Sequence, residues 1–256
     1  MSVQALRAGA FAVWMRNFWA WRRYYRSSLL LNFGEPITNL LALGLGLGAY
    51  VARMDGMSFF QFIAPGLLSV TAMNAVTFDA GFETYDKLNS NGVYQAMITS
   101  PLTVPQILAG EYLWEMCRSL LYGAIFFLFV AAFGLVHSWW ALLLPVPLAL
   151  TGILFTAPAL WVAARARTHE QLFYYFTLVI TPMFMISGVF FPVHTLPAAL
   201  ATFVRFLPLY HTVQLSRELL LGQIGLPVLI NLLWLLGYAL VLVWVPRRAF
   251  EQRLVA

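Results

Sequence analysis

Lysine occurs once in this chain, at position 87, cysteine once, at position 117, and charged residues of every kind make up only 10% of its 256 residues. Each shortage excludes something. One cysteine cannot form an intrachain disulfide, and Cys117 reads as a small apolar filler. One lysine excludes a polybasic arm for nucleic acid. It also excludes a phosphate-binding loop, whose lysine must follow a glycine-rich turn to reach the phosphates; Lys87 follows Asp86. His-Glu-x-x-His, Cys-x-x-Cys and Gly-x-Ser-x-Gly are missing, and Ser187-Gly188 lacks the glycine that precedes a serine elbow. The four histidines, His137, His169, His194 and His211, fall in expected loops or interfacial pieces and make no metal set. No catalytic residue, cofactor site or metal site is therefore expected, and energy for uphill work has to come from another chain or an ion gradient.

What the chain has in abundance is apolar surface. Hydrophobic residues make up 61%, whereas a soluble domain carries roughly 25% charged residues. A bilayer is the solvent such a composition suits, and a spanning helix needs ~20 mainly apolar residues. Six segments qualify, at about 29–52, 59–82, 104–136, 139–164, 172–191 and 226–245. The expected fold class is all-α and integral to the membrane. No cleavable signal is expected, because five arginines interrupt the first 28 residues and no small-residue cleavage site follows their longest uncharged run. With both termini in the cytoplasm, eleven basic residues lie inside and three, Arg53, Arg205 and Arg217, outside, as the positive-inside rule prefers. The net charge of +5 comes almost wholly from arginines beside apolar stretches, which suits anionic lipid headgroups.

Two segments depart from simple spans. In 1–28, Phe11, Trp14, Phe18, Trp21 and Tyr25 recur on one helical face with Arg16 and Arg23 opposite. That pattern predicts an amphipathic helix in the cytoplasmic interface, either an anchor or a lever between a cytoplasmic partner and the first span. Residues 29–256 then form a single membrane domain. Within it, about 192–225 is apolar but broken by Pro192, Pro197 and Pro208, with Arg217 near its end. Pieces too short to span predict a re-entrant external hairpin, which survives at membrane depth only when covered by protein or facing water.

Several residue sets are candidates for function. Glu35, Asp79, Glu83, Glu111, Glu115 and Arg118 lie at membrane depth and need partners; Glu115 and Arg118, at i and i+3, are expected to pair. The alternative to this structural network is a proton relay, weakened because the acids crowd one end of the spans. Gly44 and Gly48 form a small-xxx-small pair that serves either packing within the chain or a seam with a second copy. The internal loop 85–103 carries Tyr85 and a short helix expected over 93–99. There Tyr94, Met97 and Ile98 form an apolar strip ahead of Thr99, suited to a partner's groove or to the lipid surface. On that reading Lys87 is an exposed rim charge. Tyr24, Tyr25, Tyr174, Tyr175, Met183, Met185, Phe190 and Phe191 suit an amphipathic cargo, rings offering flat faces with polar tips and methionine adapting to shape. Lipid-belt and core packing is the competing reading of that set.

The chain resembles the ABC-2 class of ABC-transporter membrane subunits, and within it the nodulation-factor export, or NodJ-like, permeases. The resemblance rests on Gly34-Glu35-Pro36 followed by Leu43-Gly44-Leu45-Gly46-Leu47-Gly48, and on Phe62-Ile63-Ala64-Pro65-Gly66-Leu67. Glu83-Thr84-Tyr85 through Ser100-Pro101-Leu102, Gly110-Glu111-Tyr112-Leu113-Trp114, and Ser187-Gly188-Val189-Phe190-Phe191-Pro192 follow in the same order, with Leu196-Pro197, Pro208-Leu209 and Arg217. It implies six membrane helices of the type V exporter kind, with the interfacial helix and the re-entrant hairpin. It implies two permeases in the bacterial inner membrane and two separate ATPase subunits holding ATP and magnesium. The loop between spans two and three would then be the coupling element, and the cargo a lipo-oligosaccharide, glycolipid or similar amphiphile. An ion-coupled secondary transporter would need internal repeats or paired mid-membrane charges, and a membrane transferase a converging acid–base set; neither is evident.

The missing phosphate-binding lysine generates the first prediction. The purified chain alone should hydrolyse no ATP, measured as phosphate release after removal of contaminating ATPase. Steady turnover by the pure chain would contradict it.

Overall fold

The computed structural model describes residues 3–51 and 53–254; Ala52, the expected end of the first span, lies outside them. The described residues are helical, and their one strand-like feature is an isolated bridge between Met54 and Met57. In chain order, α1 is Val3–Trp21, α2 Tyr25–Leu41, α3 Phe59–Asn89, α4 Val93–Thr99 and α5 Val104–Ala132. Then come α6 Pro145–Arg165, α7 His169–Tyr175, α8 Thr181–Ile186, α9 Ala198–Val204, α10 Pro208–Leu221, α11 Leu226–Leu242 and α12 Val245–Leu254. Among the described residues, five helical stretches are long and apolar enough to cross a membrane: Tyr25–Ala49, Phe59–Asn89, Val104–Ala132, Trp139–Arg165 and Leu226–Leu254.

The expected fifth span is not among them. It is α7 and α8 joined by a wide turn over Phe176–Ile180, and the helix stops at Ile186, leaving Phe190 and Phe191 in the loop beyond. Pro182 explains the interruption: it brings no N–H to the helix ladder, and the wide turn just before it absorbs the gap. The apolar part, residues 172–186, covers roughly 22 Å at 1.5 Å per residue, against a hydrocarbon core of ~30 Å.

α3 is the central helix. A Ser58–Gln61 capping box starts it, Gln61 N–H donating to Ser58 Oγ at 3.3 Å and Ser58 N–H to Gln61 Oε1 at 3.1 Å. α5, α6, α10 and α2 pack around it. It runs to Asn89, past the expected end at residue 82, so Tyr85 and Lys87 are helical rather than part of a loop. Nothing breaks the helix before Ser90-Asn91-Gly92, and Tyr85 and Leu88 bury apolar surface against their neighbours.

The amino-terminal helix packs on the protein through its small residues. Ala10, Val13 and Asn17 are buried against α5, where Gly110 lets the two backbones approach. Phe11, Trp14 and Phe18 instead stack on one another along the outside, and Trp14, Phe18 and Trp21 meet the edge of Trp114. Tyr25 does not continue that stripe; the chain turns over residues 22–24, and Tyr25 opens α2. Of the two glycines paired in the first span, Gly44 packs on the Phe60 ring while Gly48 meets nothing.

The expected hairpin is two short helices, α9 and α10. Its three prolines stand where a helix start needs no donor: Pro192 before a short turn, Pro197 before α9 and Pro208 as the first residue of α10. Arg217 latches the assembly. Only 6% exposed, it donates from Nη2 to Gly188 O at 2.8 Å and Phe62 O at 3.2 Å, and lies 4.0 Å over the Phe62 ring. Beside it the backbone of Val189 presses on Gly66, where an added Cβ would sit 3.0 Å from Val189 Cα.

Arg217→Met should therefore destabilise the detergent-solubilised protein by about 1–3 kcal/mol, the cost of leaving buried acceptors unmet. Arg217→Lys should recover only part of that, because an ammonium has no second nitrogen to reach Gln214 Oε1 while the first spans both carbonyls. A thermal melt checks both, and an unchanged Tm for the methionine variant would remove the latch.

Candidate functional site

The membrane-depth charges converge where α1, α3, α4 and α5 meet. Glu111, on α5, is their hub and is 1% exposed. Its carboxylate accepts from Asn17 Nδ2 on α1 at 2.9 Å, from Lys87 Nζ on α3 at 3.1 Å to each oxygen, and from the Tyr94 hydroxyl on α4 at 2.7 Å. A buried carboxylate is tolerable only when donors surround it. This one has them from three helices besides its own.

Lys87 carries the network onward to Glu83 at 3.5 Å. Glu83 in turn accepts a short hydrogen bond from the Tyr24 hydroxyl. Arg118, 1% exposed, forms an ion pair with Asp79, lies 4.0 Å from Glu83, and stacks over Tyr122 at 5.4 Å. Tyr122 meets Ser28 Oγ at 2.5 Å and accepts from Trp21 Nε1 at 3.3 Å, so the turn between α1 and α2 is tied to the same cluster.

Of the six expected members, Asp79, Glu83, Glu111 and Arg118 are brought together. The Glu115–Arg118 pair is not formed: Arg118 reaches across to α3, and both Glu115 oxygens are buried without a hydrogen-bond partner. Glu35 stands apart, exposed on α2.

The loop expectation is corrected at its central residue. Tyr94 is fully buried, not a knob for a partner's groove; its ring meets Phe250 at 5.7 Å edge to face. Burial pushes its phenol well above the ordinary tyrosine range, and the Glu111 charge pushes it further. It therefore stays protonated and donating at any physiological pH. Lys87 is 5% exposed and is no rim charge. Met97 and Ile98 are half-buried, and Gln95, Ala96 and Thr99 are the exposed residues of α4. Tyr85 packs inward, its hydroxyl donating to Arg167 O at 2.8 Å.

A cavity of ≈570 Å³ opens beside the charges, between α2, α3 and the α7–α8 segment. Ser28, Asn32, Glu35, Asn74, Asp79 and Thr181 give it polar walls. Leu31, Phe78, Phe176, Ile180, Phe184 and Met185 give it apolar ones. Glu35, Phe184 and Met185 also border a second cavity of ≈620 Å³ that includes Asn39, Leu43 and Phe190. Of the expected cargo-path residues, Tyr24, Met185 and Phe190 line one of these two cavities. Tyr25, Tyr174, Tyr175, Met183 and Phe191 line neither; Met183 is buried in the core and Tyr175 packs against it. The asparagines escaped sequence reasoning, though an amide inside an apolar run was their signal.

Long apolar helices around a buried charge cluster, with an open amphipathic cavity beside it, fit a membrane transport subunit. Comparison with known proteins makes the assignment specific. The family model described as "ABC-2 type transporter" matches residues 9–221, and the chain belongs to that family. It is 38% identical to Nodulation protein J of Rhizobium leguminosarum bv. viciae over 227 residues, 87% of each chain. It is 35% identical to Nodulation protein J of Rhizobium meliloti (strain 1021), covering 95% of this chain and 93% of that one. It is also 26% identical to the inner membrane transport permease YadH of Escherichia coli (strain K12), over 73% and 72% of the two chains. The chain is thus a NodJ-like transport permease, a non-catalytic membrane subunit whose family implies an ABC ATPase as its partner.

The hub generates a double-variant prediction. Lys87→Met or Glu111→Met alone should destabilise by about 3–5 kcal/mol, as for a buried pair stripped of one partner. The two together should cost less than the sum, because neither charge is then left alone. Thermal melts of the three variants check this; strictly additive losses would show that Lys87 and Glu111 do not act as a pair.

Proposed function

We propose that this permease exports an amphipathic lipo-oligosaccharide or glycolipid outward across the bacterial inner membrane. It works as a pair with a second copy of itself, driven by an ATPase dimer seated on α4. The observation that carries the reading is the two-part cavity, whose amide, hydroxyl and carboxylate groups face aromatic and aliphatic side chains. Polar groups of this kind match sugar hydroxyls, and flat rings and Met185 match acyl and ring surfaces. The cargo class follows the NodJ-like resemblance.

Glu35 supports a path rather than packing. It has no hydrogen bond or ion pair among the described residues, and it stands roughly 15 Å into α2 at 1.5 Å per residue. A carboxylate at that depth must meet water, cargo or a second copy. Six crossings with both termini inside complete the topology, the α7–α8 segment and the loop up to Pro192 making the fifth and the α9–α10 pair the re-entrant hairpin. The arginine distribution and the proline-bounded helices support that arrangement. ATP and magnesium stay on the partner, the surrounding lipid is the remaining contact, and nucleic acid has no role.

The test uses proteoliposomes holding the permease with its ATPase. Glu35→Gln and Phe184→Ala should each lower export of a fluorescent glycolipid roughly ten-fold, equivalent to about 1.4 kcal/mol, at unchanged protein level. Tyr174→Ala, which lies outside both cavities, should export normally. Full export by both cavity variants would remove the path.

A further inference from the structure

The match to the family model ends at residue 221, ahead of α12. The contacts of α12 point to what it does. Phe250 is fully buried and closes on the Tyr94 ring, and Ala249 and Phe250 share an apolar cluster with Leu88, Val104 and Ile107. One turn on, Arg253 Nη2 meets Asn89 Oδ1 at 2.5 Å. Asn89 is the last residue of α3, and Gly92, just before α4, takes a left-handed turn with φ of 58°. Just before α12 begins, the end of α11 is moored by the Tyr112 hydroxyl, which donates to Val243 O at 3.0 Å. α12 therefore grips α4 at its one fully buried side chain and at the hinge that leads into it.

A helix of seven residues does not hold its shape alone in water. The position of α4 is borrowed from what surrounds Tyr94: Glu111 at the hydroxyl and Phe250 at the ring. α12 also forms the far wall of an open groove of ≈690 Å³ that runs from Ile98 and Leu102 to Glu251 and Gln252. A subunit seated against Ile98 and Thr99 thus meets α12 in the same groove.

We propose that α12 is a working part of the coupling surface. Phe250 and Arg253 are positioning residues that hold α4 in register, and Glu251 and Gln252 border the groove in which the ATPase seats. The proposal rests on the reading of α4 as the ATPase contact. Load entering at α4 moves the spans only if α4 cannot slide against them, and α12 is the element that prevents sliding.

The experiment uses the full permease–ATPase complex in lipid, with Thr99→Cys in a Cys117→Ser background as the cross-linking site. Phe250→Ala, Phe250→Leu, Arg253→Ala and the exposed control Arg248→Ala are compared by hydrogen exchange over 93–99 and by ATP hydrolysed per cargo exported. Phe250→Ala should raise both several-fold while exchange in α5 is unchanged and the cross-link persists. Arg253→Ala, an exposed change that the fold tolerates, should do the same to a smaller degree. Phe250→Leu should stay near the unaltered chain, and Arg248→Ala should match it. No cross-link in the unaltered chain would overturn the α4 reading and this proposal with it. A cross-link throughout, with exchange and stoichiometry unmoved in Phe250→Ala and Arg253→Ala, would overturn the role of α12 alone.

Discussion

One carboxylate organises the end of the molecule where the chain turns most. Taking a carboxylate out of water costs several kcal/mol unless donors replace the solvent. At Glu111 the donors come from Asn17, Lys87 and Tyr94, one each from α1, α3 and α4. Each of those helices would find other ways to bury its apolar residues; none would find another way to satisfy Glu111. The amphipathic helix, the central span and the short loop helix are therefore held in one relation by electrostatics as well as by packing. The neighbouring Asp79–Arg118 pair and the Tyr24–Glu83 bond continue that relation toward the cavity.

The long elements were legible because their signals are local. The apolar runs, the glycine and proline around residues 92–101 and the prolines of the hairpin each act within a few residues, and α4 spans the residues expected. What failed was direction. Tyr94, Met97 and Ile98 make an apolar strip whether it faces a partner or the protein itself, and only the distant Glu111 and Phe250 decide that Tyr94 turns inward. Likewise Glu115 and Arg118 are spaced to pair along one helix, but Arg118 is drawn to α3. In α1 the stripe of large rings marked the interfacial face, but it did not single out the small residues on another side that let the helix approach α5. The fifth span was drawn too long because hydropathy registers Phe190 and Phe191 but not the loss of helix after Ile186.

The cavity shows the same division. Its aromatic and methionine character was readable in outline, but a list of rings does not tell which half of a helix faces a hole. Met183 and Met185, two residues apart, point to opposite environments, the first buried in the core and the second lining the cavity. Part of the polar lining comes from Asn32 on α2 and Asn74 on α3, which only the packing of the two helices brings to one hole.

The central helix has one further mechanical consequence. α3 is unbroken from Phe59 to Asn89, 31 residues, or roughly 46 Å at 1.5 Å per residue. Lys87 is near one end and Phe62, which accepts from Arg217, is near the other. A rod bonded at both tips does not absorb displacement along its length. A tilt imposed at the Lys87 end arrives at the α9–α10 pair as a swing of opposite sense, with the packed middle of the helix as fulcrum. The two ends of the protein are then the two arms of one balance beam.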